Sequence, residues 1–134
     1  MNPFDVMYAQ ATGSGGGGGG GGDVKNYMTS ELEVGTLDAT GVENDNPNRL
    51  RTVDFIELES GTYTVYNTSN LLVIVFRYTT DGTFIDRSGG GFFESVPMTF
   101  TVSETQKFRF AFNTGTGSVQ LSPEDMKNLL LLKA

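Results

Sequence analysis

Apolar and polar positions alternate with period two over much of the chain after residue 30, the signature of half-buried β-strands. In Pro97–Ser103, Met98, Phe100 and Val102 face one way and Thr99 and Thr101 the other. In Lys107–Phe112, Phe108, Phe110 and Phe112 point inward, and Lys107, Arg109 and Ala111 outward. Arg49–Leu58 is predicted as one strand, with Gly61 marking the turn into another over Thr62–Tyr66. Glu31–Leu37 alternates more weakly and predicts a first strand. Leu71–Thr79 behaves differently: it is apolar on both faces for six residues, so it should be a central strand covered on both sides.

Turn chemistry separates these runs. Thr40–Asn48 is rich in Gly, Asn, Asp and Pro and reads as a loop, and Asn67–Asn70 as a turn. Thr80-Asp81-Gly82 is a hairpin signal returning into Thr83–Asp86. Ser88–Gly91 is a short glycine loop, and Phe92–Val96 extends or bulges after it. Strands recurring at this spacing predict an all-β fold, an antiparallel sandwich or barrel. Near the end, Ser122-Pro123-Glu124-Asp125 has the residues of a helix start; Leu129–Leu132 either continues that helix or forms a closing strand, and four consecutive leucines favour the buried strand.

The first 22 residues break the pattern. Met1–Thr12 carries Pro3, Phe4, Val6, Met7 and Tyr8, with Asn2 and Pro3 suited to open a helical turn. A dozen residues do not fold alone in water, so this density of apolar groups suggests a docking peptide ordered by a partner. Gly13–Gly22 follows, with eight consecutive glycines from Gly15. Such a stretch is a flexible tether, spanning about 18 Å on average and about 35 Å when extended. The expected division is therefore 1–12 anchor peptide, 13–22 linker and 23–134 sandwich.

Composition narrows the function classes. There is no Cys and no His, which removes thiolate nucleophiles, imidazole acid–base catalysis and the usual zinc sites. Nine Lys and Arg against 16 Asp and Glu leave a formal charge of −7, which disfavours nucleic acid. Met1–Ala11 has no basic residue, so a secretory signal is not expected. The longest apolar run, Leu71–Phe76, is too short to span a bilayer as a helix, so membrane insertion is not expected either.

The carboxylate pairs Asp81/Asp86 and Glu57/Glu59 are turn and strand-end residues and do not argue for catalysis. No GK[ST] follows the glycine run, so no phosphate loop is present. No cofactor is expected. A structural calcium is the one ion considered, since Glu31, Glu33, Asp38, Asp45, Asn44 and Asn46 offer hard oxygens on loops. Arg51, Arg77 and Arg109 each interrupt an otherwise apolar strand. On neighbouring strands they would line one face with Tyr66 or Tyr78, a donor-and-ring surface suited to sugars or acidic partners; otherwise they pair with surface carboxylates.

The runs Arg51–Val65, Val75–Ile85 and Phe100–Phe112 together resemble the small jelly-roll modules, similar to carbohydrate-binding modules, of bacteriophage structural proteins. The pattern is an Arg-led strand, a strand with Gly shortly before Y-T-V (here Gly61-Thr62-Tyr63-Thr64-Val65), a D-G hairpin and a terminal aromatic strand, over about Glu31 to Lys133. The resemblance implies a jelly-roll-like β-sandwich without enzymatic activity, on a virion surface. Its anchor-and-tether leader resembles that of capsid decoration or head-fibre proteins, which implies a major capsid or other virion protein as partner. Homo-oligomers, often trimers, and a host surface glycan are the further partners it implies. The chain lacks Trp, the commonest sugar-stacking residue.

Overall fold

In the computed structural model, residues 25–68, 70–114, 126 and 128–134 are described; the expected anchor peptide, the whole tether and the Ser122–Asp125 helix start lie outside them. Strands follow in the order β1 (Leu32–Val34), β2 (Thr36–Leu37), β3 (Glu43–Asn44), β4 (Leu50–Thr52), β5 (Ile56–Leu58) and β6 (Gly61–Tyr66). The second half contains β7 (Leu71–Tyr78), β8 (Phe84–Arg87), β9 (Glu94–Ser95), β10 (Met98–Val102), β11 (Gln106–Thr114) and β12 (Leu130–Lys133). Every pairing is antiparallel.

Sheet 1 runs β1-β4-β11-β7-β8, with β5 continuing on β11 and β9 on β7; sheet 2 runs β10-β6-β12. The pairings are nested: β4 and β5 with β11, β6 with β10, β7 with β8. That is a long hairpin with its tip near Asp81-Gly82, rolled so that β11 also meets β7. This is the jelly-roll device, which leaves β12 to extend sheet 2 beyond β6.

The rolling brings two aromatic and aliphatic layers together. From sheet 1, Leu50, Ile56, Leu58, Val73, Val75, Phe108, Phe110 and Phe112 face inward. From sheet 2 come Tyr63, Val65, Met98, Val102 and Leu131. The alternation expected for β10 and for the inward face of β11 is observed. Phe100 bridges the layers, its ring 5.6 Å from that of Phe108 and 5.8 Å from that of Tyr63. The double-sided character of Leu71–Thr79 is also observed: Ile74, Phe76 and Tyr78 form a second cluster on the outer face of sheet 1, with Leu37, Ala111, Phe84 and Phe93.

Several boundaries move. The strand expected over Glu31–Leu37 breaks at Gly35, whose φ of 140° suits glycine alone. The Thr40–Asn48 loop holds β3, which folds back on β2 as a small hairpin. Arg49–Leu58 divides into β4 and β5 around Val53–Phe55, and Gly61 opens β6 rather than ending a turn. The closing leucines form a strand as expected, Leu131 buried in the main core.

The first described residues are stitched to that last strand. Tyr27 donates its N–H to Leu131 O at 2.8 Å, and the Asn26 side chain accepts from Leu131 N at 2.9 Å. Tyr27 then packs edge-on against Tyr63 at 5.4 Å.

Phe112→Ala should lower the unfolding free energy by about 3–5 kcal/mol, as for large core truncations. Thr99→Ala removes only a hydroxyl pair with Thr64 on the outside of sheet 2 and should lower it by less than about 1 kcal/mol. Urea denaturation followed by far-ultraviolet circular dichroism separates the two.

Candidate functional site

Two of the three strand arginines meet. Arg51 lies opposite Ala111 in the β4–β11 register, and Arg109 two residues earlier on β11, so both project from the outer face of sheet 1. The β2–β3 hairpin closes over them. Arg51 Nε contacts Glu33 Oε2 at 2.6 Å, and its Nη1 donates to Thr36 O and Asn44 O, each at 3.2 Å. Arg109 donates to the Thr52 and Val53 carbonyls and pairs with Glu43 Oε2 at 2.9 Å. Glu43 Oε1 lies 3.5 Å from Arg51, so one carboxylate bridges both guanidiniums.

The arginines are 9% and 8% exposed, and their donors are turned to the protein itself. Gly35 must be glycine for a second reason: a Cβ there would collide with the Arg51 guanidinium. Tyr78 lies beside them under the same hairpin and donates its hydroxyl to Gly41 O at 2.7 Å. Burial pushes its phenol up to about 12, which keeps it a neutral donor.

Arg77 does not join them. It stands opposite Phe108 in the β7–β11 register and therefore points to the inner face. There it forms a two-pronged pair with Asp86, its direct cross-strand partner on β8, with Nε to Oδ1 at 3.0 Å and Nη2 to Oδ2 closer still. The expectation of one exposed arginine face is thus corrected: Arg51, Arg109 and Tyr78 share a covered outer face, and Arg77 lies on the other side. Parity could not be read in β7 because the strand is apolar on both faces. Tyr66 is on β6 in sheet 2, away from all three.

Arg77 and Asp86 form one wall of a cleft of about 220 Å³ at the edge of the sandwich, where β8 of sheet 1 and β10 of sheet 2 part. Phe100 and Phe108 reach it from the core, with Thr101 and Ser88 at its sides. Sequence reasoning missed Asp86 as the partner of Arg77, and Glu43 as the bridge. The first was findable, since 77 and 86 are equidistant from the Asp81-Gly82 turn. The second was not, because it depends on a hairpin folding across a sheet.

The other candidates are engaged locally. Asp81 accepts from Thr79 and Thr83 within its turn and Asp38 from Thr40 and Val42, which holds both carboxyls below their usual range. Glu59 pairs with Lys133 at 2.7 Å. Of the calcium candidates, Glu33 is taken by Arg51 and Asp38 by its own turn, and among the described residues no three acidic side chains converge. Pro3, Phe4, Val6, Met7 and Tyr8 lie outside the described residues. Among the described residues no helix is long and apolar enough to cross a membrane.

Comparison with protein-family models, with curated proteins and with solved structures finds no significant match. The class is defined by the fold itself: an all-β antiparallel sandwich with jelly-roll-like pairing.

The hydrogen bond from Arg109, aided by the charge of Arg51, holds the Glu43 carboxyl below the usual carboxylate range. A depressed folded value contributes stability above the unfolded value of about 4.3, and that contribution disappears as pH falls through the folded value. Glu43→Gln should therefore destabilise the domain at pH 7 and much less at pH 3. Urea midpoints of both proteins at the two pH values check this; an equal difference at both would refute the bridge.

Proposed function

We propose that the chain is a non-enzymatic display protein of a virion surface, the capsid exterior rather than the tail. Residues 1–12 dock on a major capsid or other virion protein, residues 13–22 span outward, and the sandwich is presented at the end, in several copies on the particle. The observation that carries this reading is the seam at Asn26 and Tyr27. Directly after the glycine run the backbone is fixed to β12, the last strand of the domain. Any pull on the leader is taken up by strand hydrogen bonds next to Tyr63 in the core, as a display tether requires.

The chemistry of the domain supports the same reading. Its buried arginines are neutralised by Glu33 and Glu43, and its turn carboxylates hold their own backbones. These groups stabilise structure and are not aimed at a reacting atom. The resemblance to phage jelly-roll modules supplies the virion context, and the apolar residues Phe4, Val6, Met7 and Tyr8 supply the docking surface.

Removing residues 1–12 should leave the domain's thermal unfolding within a few degrees of the full chain and abolish co-sedimentation with particles. Incorporation that survives the deletion would move attachment to the sandwich and overturn the proposal.

A further inference from the structure

The two sheets are unequal in width. Sheet 1 runs five strands along β1-β4-β11-β7-β8, and sheet 2 has three, β10-β6-β12. The excess of sheet 1 shows on the β10 side. Phe100 of β10 packs against Phe108 with ring centres 5.6 Å apart, yet it stays partly exposed. The cleft of about 220 Å³ beside it continues along Val75, Arg77 and Asp86. A strand laid along the outer edge of β10 would extend sheet 2 across this cleft.

The edge itself is suited to such an addition. Exposed strand edges are usually blunted by charge, proline, bulges, shortness or cover. Three of the four outermost strands here are blunted in this way. In β12, Leu131 gives its N–H to Asn26 and its carbonyl to Tyr27. β8 carries Asp86 and Arg87, and its register slips at Arg77/Tyr78. β1 is three residues long with Glu33 at its centre. β10 has none of these devices. Its five residues pair with β6 in unbroken register, carry no charge and include no proline. In an antiparallel ladder alternate residues turn N–H and C=O away from the partner strand, and among the described residues nothing bonds to those of β10.

The segment that fits this edge belongs to the same chain. A row of backbone donors and acceptors takes an extended apolar peptide. When extended, Phe4, Val6 and Tyr8 fall on one side, all of them strong strand formers, with Asp5 and Met7 on the other. The tether has a matching length. Lys25 and Thr105 border one pocket, so the described chain begins beside the turn that follows β10. Antiparallel addition would bring the end of the anchor peptide to Met98, about 17 Å away along five residues of strand. Gly13–Gly22 spans about 18 Å on average, and a flexible linker is most effective when its mean span equals the gap. At the millimolar effective concentration it provides, even weak strand pairing is favourable within one molecule. We propose that residues 4–8 add to β10 of their own domain as a fourth strand of sheet 2. This goes beyond display: it gives the anchor peptide a resting place, from which attachment to a particle would draw it.

Amide hydrogen exchange of the full chain, read residue by residue by NMR, tests this. Both alternate sets of β10 amides should be protected, those facing β6 and those facing the edge. Val6→Asp puts a charge on the inward side of the added strand and leaves every residue of the domain unchanged. It should speed exchange of the edge-facing amides by at least about fivefold and leave β4, β7 and β11 as they were. Equal exchange of β10 in the two proteins would overturn the proposal, and so would an equal acceleration in every strand. Loss of the protection on tenfold dilution would overturn it too, because the added strand would then come from a second copy. No particle enters the experiment, so its failure and failure of the display reading are separate results.

Discussion

The β7–β11 ladder is the constraint from which the rest of the domain follows. Eight residue pairs run in register from Leu71 opposite Thr114 to Tyr78 opposite Lys107; β7 is apolar on both faces, and β11 is largely buried on both, with phenylalanines inward and Arg109, Ala111 and Asn113 outward. A ladder buried on both faces cannot sit at a surface, so each side requires its own cover. Sheet 2 supplies the inner cover through Tyr63, Val65, Met98, Val102 and Leu131. The outer cover is thinner: Leu37 from the β2–β3 hairpin, with Phe84 and Phe93 from the returning chain. Nested pairing brings these pieces to the two sides with short connections.

The outer cover explains the buried ions. Two-residue strands such as β2 and β3 have little ladder of their own, and a hairpin that short is unstable without anchoring. Arg51 and Arg109 reach up from the sheet and hold its backbone and its Glu43, while Tyr78 holds Gly41. Two half-exposed carboxylates, Glu33 and Glu43, balance the two buried guanidiniums. Ion pairs of this kind contribute less to stability than apolar groups of equal size, but they fix one position for the hairpin where Leu37 alone would allow sliding. Glycine at 35 follows from the same arrangement, because the Arg51 guanidinium occupies the space of a side chain there.

How much of this was legible follows from the same physics. The inward phenylalanines of β11, the alternation of β10 and the two-faced character of β7 are local patterns and were readable from residue order alone. So was the class of fold, since strands at regular spacing leave few alternatives. The face of Arg77 was not readable, because alternation carries no information in a strand apolar on both sides. The burial of Arg51 and Arg109 was not readable either. Outward on a strand means exposed only when nothing crosses the sheet, and the segment that crosses, Thr36–Asn44, reads as a strand end running into a polar loop. The Val53–Phe55 break between β4 and β5 has no glycine or proline to announce it. It lies where Val53 O turns to meet Arg109 and Phe55 packs edge-on against Tyr78.

The two edges of sheet 2 differ. Tyr27, just after the glycine run, is bonded to β12 at one edge, while the Arg77–Asp86 cleft opens at β10 on the other, with β6 between them. Strand spacing separates the two edges by about 10 Å across the sheet. A core residue at 77 would allow β8 and β10 to close over Phe100 and Phe108, and the sandwich would gain buried area at that edge. Arg77 and Asp86 occupy that position with a two-pronged pair that ties β8 to β7. The Arg51–Arg109 network holds a hairpin over the outer face of sheet 1, and the Arg77–Asp86 pair holds a returning strand at its edge, so the charged groups of this sheet fix elements that short ladders alone would leave loose.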